Sequence, residues 1–186
     1  MKRCFDLFLA IVALVILIWP MILVAIAVRL TSSGPALYWS DRVGKDNAIF
    51  KMPKFRSMRI DTPAVATHLL EKPEAWLTPI GSFIRKTSLD ELPQLWCILS
   101  GDMSFVGPRP ALFNQHDLIE RRTAQGVHQL VPGLTGWAQI NGRDELSIEE
   151  KVSFDTTYLH SRNFALDVSV IWRTIAQAIT SKGVSH

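Results

Sequence analysis

The feature that most constrains this chain is an apolar run close to its start. From Phe5 to Val28 the sequence is almost continuously hydrophobic, broken only by Asp6 and by Pro20. That is longer than the about 20 residues a membrane-crossing helix needs. After Arg29 the composition becomes that of a soluble protein, rich in Arg, Lys, Pro and Trp. One membrane segment and one globular part are therefore expected, and 186 residues suit a single compact domain. A cleaved signal peptide fits poorly, because the run is too long and Val28-Arg29-Leu30 does not resemble a cleavage site. Lys2 and Arg3 precede the run and Arg29 follows it, so the bias of basic residues toward the cytoplasm gives no orientation. Pro20 lacks a backbone donor and clashes with the preceding turn, which bends or breaks a helix. Two readings stay open: a kinked span, or a re-entrant hairpin that turns at Pro20 and returns both basic ends to one side. The hairpin must find partners for the carbonyls it frees, since unpaired backbone groups in hydrocarbon cost several kcal/mol each.

Charge narrows the partners. With 20 basic and 17 acidic side chains the formal charge is only +3, and no basic block or aromatic-basic interleaving marks a nucleic-acid site. The excess does suit an anionic lipid surface, where each basic group contributes roughly 1 kcal/mol. Cys4 and Cys97 lie far apart, and Cys4 abuts the membrane segment, so a reducing compartment is favoured over a disulfide framework. The five histidines show no metal-ligand or triad spacing.

Past the anchor, residues 36–43 and 48–55 read as strands flanking the turn Gly44-Lys45-Asp46-Asn47, a β-hairpin in which Asn47 tolerates positive φ. Residues 89–99 look like a short helix stopped by Ser100-Gly101-Asp102, residues 112–125 read as helix, and 131–142, with three glycines and a proline, as loop. Ser147 and Glu150 have the spacing of a capping box. Val168, Ile171, Trp172, Ile175, Ala178 and Ile179 share one helical face, to be buried in the core or laid on a membrane. The fold class expected is α+β: a mostly helical compact domain with a small β-hairpin.

The segment from Arg85 to Gln94 is the most informative. Its plain reading is a helix start, with Ser88 and Glu91 as a capping box, acids in the first turn, and Pro93 where helix donors are unsatisfied anyway. Its functional reading is a phosphate site, with Asp90 and Glu91 beside Arg85 and Lys86. Two carboxylates would repel a pyrophosphate, so such a site needs arginines and a divalent cation. Hard, oxygen-ligated Mg²⁺ fits carboxylate and phosphate ligands. Basic groups stand in stiff settings elsewhere: Lys54 and Arg56 after the hairpin, Arg109 between two prolines, and Arg143 after Asn141-Gly142. An arginine pinned by prolines loses less entropy on clamping a phosphate.

Four stretches carry a resemblance: Lys54-Phe55-Arg56-Ser57-Met58; Arg85 to Gln94; Ser100-Gly101-Asp102-Met103-Ser104-Phe105-Val106-Gly107-Pro108-Arg109-Pro110; and Pro132-Gly133-Leu134-Thr135-Gly136-Trp137-Ala138-Gln139. With them the chain resembles the bacterial sugar transferases, the monotopic phosphoglycosyl transferases that start glycan assembly on polyprenol phosphate, in the small form that is little more than the catalytic domain. The resemblance implies a re-entrant membrane helix over residues 1–30, broken at Pro20, and a catalytic domain over 31–186 on the cytoplasmic face of the bacterial inner membrane, with interfacial amphipathic helices. Asp90 would attack the sugar-bearing phosphate of a UDP-sugar, giving a phosphosugar-aspartyl intermediate and UMP. Polyprenol phosphate (undecaprenyl phosphate in bacteria) would then take the phosphosugar. Glu91, with Asp90, would bind Mg²⁺. Lys54, Arg56, Arg85, Arg109 and Arg143 would hold phosphates or nucleotide, with Asp155 a further site acid. Membrane lipids are implied partners, and a homodimer is compatible with the family.

Two positions depart from the family pattern. Trp19 stands before the breaking proline where many relatives have a smaller or polar residue, and Met52-Pro53 precedes the Lys-Phe-Arg element where an aromatic is common, which bears on strand pairing. Two rivals remain: a Mg²⁺-dependent membrane hydrolase of a nucleotide or lipid diphosphate, in which water attacks, and a non-enzymatic membrane adaptor.

Overall fold

The computed structural model describes residues 1–63, 73–142 and 145–180. Helix α1 (Lys2–Thr31) contains the whole apolar run and stays helical through Pro20. Strands β1 (Leu37–Val43) and β2 (Ile49–Phe55) pair antiparallel in unbroken register from Leu37 opposite Phe55 to Val43 opposite Ile49. Pro53 sits inside this ladder opposite Trp39 without a bulge, so Met52-Pro53 leaves the pairing regular. The turn puts Asp46 at φ 53° and Asn47 at φ 60°, so the left-handed position expected at Asn47 extends to its neighbour.

Helix α2 (Gly81–Lys86) leads into a 3-10 segment, Leu89–Gln94, and then α3 (Leu95–Ser100), which Gly101 ends at φ 103°. The single helix expected over 89–99 is therefore two, tightened in its first half. Short β3 (Ser104–Val106) pairs in parallel with β4 (Gly133–Thr135). A Cβ at Gly133 would collide with the backbone of Gly107, so glycine is what lets these segments touch. The stretch expected to be loop thus holds β4 and α5 (Trp137–Ile140). Helix α4 is shorter than expected (His116–Ala124), and α6 (Ile148–Ser161) begins with the expected reciprocal capping box of Ser147 and Glu150. Helix α7 (Phe164–Thr180) closes the described chain. The coarse architecture is as expected: mostly helical, with small sheets and an N-terminal apolar helix.

Three apolar clusters hold the described residues together, and α1 contributes to two of them. Ala10 packs with Leu95, Ile98, Met103, Val106, Tyr158 and Val170. Val24 and Val28 pack with Phe55 and Ile84. Leu14 and Leu17 pack against the first cluster and Met21 against the second, whereas Val15, Ile16, Trp19 and Leu23 are exposed. The N-terminal turn of α1 is tied down by polar groups. Buried Asp6 accepts hydrogen bonds from the Ser104 hydroxyl (2.8 Å) and the Phe105 amide (3.3 Å), and Lys2 pairs with Asp167 at 2.7 Å. At the other end the Arg29 guanidinium donates to the Gly34 carbonyl. Both ends of this helix therefore rest on the same globular body.

Helix α7 turns most of the apolar face read from the sequence outward. Asp167 and Val170 are buried, whereas Val168, Trp172 and Ile175 are exposed. Of the apolar stripe read from the sequence, Ile171 packs against the core. The inward face is partly polar because it has partners: Tyr158 donates to Asp167 at 2.6 Å, Thr135 and Thr174 share a hydrogen bond at 2.7 Å, and Gln177 donates to the Ile140 carbonyl. Satisfied polar groups can be buried at little net cost, and here they displace hydrophobic ones from the core side.

Candidate active site

Asp90 and Glu91 sit on the 3-10 segment between α2 and α3, where the backbone reverses at Ser88 (φ 55°). The capping box expected between Ser88 and Glu91 does not form: no side chain caps this segment. The Glu91 carboxylate is used elsewhere. Its Oε1 accepts from Lys54 Nζ at 3.0 Å and from Arg109 Nη2 at 2.7 Å. Lys54 comes from β2 and Arg109 from the segment after β3, so the two cations join three parts of the chain and outcompete a local cap.

The pKa values of the adjacent carboxylates move in opposite directions. Burial works to raise the pKa of Glu91, but Arg109 and Lys54 outweigh it and hold the group well below the usual range. Asp90 is 8% exposed, and among the described residues no hydrogen bond to its carboxylate is found. Burial pushes its pKa up to about 6 against the pull of Lys54, and the neighbouring Glu91 charge adds to the rise, with Arg85 and Arg109 opposing. At neutral pH Asp90 is still mostly ionised, as a carboxylate of raised basicity. Lys54 is itself shifted down by burial, which Glu91 partly offsets.

Of the residues singled out in the sequence, Lys54, Asp90, Glu91 and Arg109 meet here, with Arg85 close enough to act on Asp90. Arg56 does not join them. It is buried and donates to the Ser32 carbonyl at 3.0 Å and hydroxyl at 2.8 Å, and to the Ser33 carbonyl, clamping the turn that follows α1. Asp155 also lies apart: it accepts from Arg122 Nη2 at 2.6 Å and Nε at 2.9 Å. Arg143 lies outside the described residues.

Two arginines passed over in the sequence prove important. Arg122, fixed by Asp155, donates to the Arg109 carbonyl at 2.8 Å. Arg42 on β1 donates to the next carbonyl, Pro110, at 3.2 Å and to the Ser40 hydroxyl at 3.0 Å. Consecutive carbonyls of the Arg109-Pro110 step are thus each held by an arginine. A signal for Arg42 existed in the hairpin register: Tyr38 faces Lys54 and Arg42 faces Phe50, so period-2 alternation puts Arg42 and Lys54 on one face. Nothing in the local sequence marked Arg122.

The donor set fits a magnesium ion. Mg²⁺ is commonly held by one or two carboxylates, with phosphate oxygens and water completing the shell. Both described side-chain bonds to Glu91 fall on Oε1, and a carboxylate has two oxygens that can accept. Among the described residues no group of three His, Cys, Asp or Glu side chains could hold a metal alone, so ligands from a bound phosphate would be needed.

Comparison with known proteins identifies the family. The family model described as bacterial sugar transferase matches residues 1–181. The chain is 38% identical to the uncharacterized sugar transferase EpsL of Bacillus subtilis, over 100% of this chain and 91% of that protein. It is 39% identical to the undecaprenyl-phosphate glucose phosphotransferase of Komagataeibacter xylinus over 97% of this chain, and 36% identical to the UDP-glucose:undecaprenyl-phosphate glucose-1-phosphate transferase of Escherichia coli over 98% of it. The chain spans only 36% and 41% of the length of those two relatives.

Proposed function

Since this chain belongs to the bacterial sugar transferase family and is a phosphoglycosyl transferase, we propose that it transfers a phosphosugar from a UDP-sugar to polyprenol phosphate through a covalent intermediate on Asp90. The observation that carries this reading is the asymmetry of the two acids. Glu91 is doubly bonded to cations, while the Asp90 carboxylate has no described partner and a pKa pushed up to about 6. An ionised carboxylate needs no general base, and raised basicity makes it a better nucleophile.

In the first half-reaction an Asp90 oxygen bonds to the sugar-bearing phosphorus, the bond from that phosphorus to the bridging oxygen breaks, and UMP leaves with the bond's electrons. In the second, an oxygen of polyprenol phosphate attacks the same phosphorus, and the Asp90 carboxylate departs to leave polyprenol diphosphosugar. Lys54, Arg85 and Arg109 surround the acids and neutralise phosphate charge. Glu91 Oε2, with Asp90 beside it, would hold Mg²⁺, which supplies charge neutralisation on the phosphates. Arg122 and Asp155 keep the Arg109 backbone in place.

Residues 1–30 act as a re-entrant anchor, and residues 31–186 form the catalytic domain at the cytoplasmic face of the inner membrane. Supporting this is the packing of both α1 ends, through Lys2 and Asp6 and through Val24 and Val28, on one globular body. A 30-residue helix is about 45 Å long if straight, enough to carry its ends to opposite sides of a membrane of about 30 Å, where one domain could not hold both. The outward apolar residues Val168, Trp172 and Ile175 of α7 supply an interfacial face. A cysteine introduced at position 2 should resist labelling from outside intact cells, and labelling there would support a span instead.

The catalytic reading is tested by a screen of UMP release across UDP-sugars, with and without polyprenol phosphate. Sustained release that requires the lipid acceptor is expected. Equal turnover without it would mean that water attacks and that the enzyme is a hydrolase.

A further inference from the structure

The cations around Asp90 and Glu91 are not evenly disposed. Lys54 and Arg85 act on Asp90. Arg42 is felt at Lys54, and it in turn feels repulsion from Arg109 and attraction to Glu91. Its Nη1 donates to the carbonyl of Pro110, the residue after Arg109, and its side chain shares a hairpin face with Lys54, so Arg42 lies on the Glu91–Arg109 side of the cluster. Burial, followed by the charge of Arg109, lowers its pKa to about 10, so it stays charged at neutral pH while standing beside another cation.

Two like charges gathered in a partly buried site are unfavourable unless an anion joins them. Glu91 is the acid between them, yet it is already bonded to both Lys54 and Arg109. Among the described residues Arg42, Lys54 and Arg109 converge on the single charge of Glu91. Arg42 is also pre-organised. Its Nε is used on Ser40 and one Nη1 hydrogen on Pro110, and a guanidinium carries five N–H donors. The remaining donors project from a group already fixed in place, which lowers the entropy lost on binding an oxyanion.

An in-line displacement puts the entering and leaving oxygens on opposite sides of the phosphorus. With Asp90 as the entering group, the leaving phosphate lies away from Asp90, toward the side where Arg42 stands. We propose that Arg42 binds the phosphate of the departing nucleoside monophosphate, and so serves the first half-reaction but not the second. This rests on the two-step reading above.

The test uses the full-length enzyme in detergent or nanodiscs, with Arg42→Met and Arg42→Lys, each checked for an unchanged thermal melt. UMP is titrated calorimetrically, and the half-reactions are timed separately: adduct formation from UDP-sugar alone, then discharge of the pre-loaded adduct to polyprenol phosphate. In Arg42→Met, UMP affinity and the rate of adduct formation should each fall roughly 10- to 100-fold. Discharge should stay within about 2-fold. Arg42→Lys, which keeps the charge but cannot hold Ser40 and Pro110 together, should recover most of the UMP affinity. A brace on Pro110 alone predicts that lysine behaves like methionine, and that result would overturn the assignment. So would undiminished UMP binding in Arg42→Met, or equal loss in both half-reactions. If the wild-type enzyme forms no adduct, the two-step reading fails, and the UMP titrations decide whether Arg42 binds this phosphate.

Discussion

Two clusters of arginine and carboxylate lie close together in this molecule and have opposite characters. Arg122 and Asp155 form a closed pair, with side chains only 11% and 2% exposed and a separation of 2.6 Å, and Arg122 spends a further donor on the Arg109 carbonyl. Among the described residues the cluster at Asp90 and Glu91 has more cations than acids, a carboxylate with no described hydrogen bond, and an Arg109 side chain that is 37% exposed. The same residue types make a brace in one place and a receptive site in the other. What separates them is the charge balance and the access of water.

Substitution should expose this difference. The largest effect is expected at Asp90→Asn, which removes the attacking group: transfer should fall by 10³-fold or more in a UMP-release assay. The same variant should gain stability at neutral pH. A folded-state pKa raised to about 6 means that the charged form is penalised in the native state. The penalty is fully present above that pKa and is relieved as pH falls toward the unfolded value. Asparagine carries no such charge, so a gain of up to about 3 kcal/mol is expected in denaturant melts at pH 7. At the brace the signs reverse. Arg122→Leu leaves Asp155 buried and unpaired, and a loss of about 3–5 kcal/mol is expected.

Acidity affects the two clusters differently. As pH falls through about 6, Asp90 takes up its proton and the rate of adduct formation should decline with it. Glu91, held well below the usual range by Arg109 and Lys54, remains ionised through that window. A rate that stays flat from pH 7.5 to 5 would contradict this. The smallest effect belongs to a third pair, Arg121 with Glu149 at 3.0 Å, both more than half exposed. Arg121→Ala should shift stability by no more than about 1 kcal/mol and leave transfer intact.

The sequence carried some parts of this arrangement and not others, for physical reasons. The hairpin and the Ser147–Glu150 box were legible because both are local: alternation and turn chemistry set the first, and two side chains three residues apart set the second. Lys54, Asp90, Glu91 and Arg109 could be singled out by residue type and stiff surroundings, and the fold brings them together. The Ser88 cap failed because the competition for Glu91 is settled by cations 37 and 18 residues away. The apolar face of α7 stayed open between core and membrane surface because hydrophobicity alone decides the buried face only when polar groups lack partners, and Asp167, Thr174 and Gln177 all have them. Arg56 and Arg109 look alike in sequence. One clamps backbone carbonyls and the other reaches Glu91, a difference that depends on where the residue after α1 turns.

The most direct test of the central claim is a single-turnover experiment with UDP-sugar and no lipid acceptor, followed by mass spectrometry of the intact enzyme and its peptides. About one UMP per enzyme should be released, with one phosphosugar attached to the peptide containing Asp90, discharged on adding polyprenol phosphate and missing in Asp90→Asn. Continuous UMP release with no adduct, or an adduct that persists in Asp90→Asn, would contradict the account.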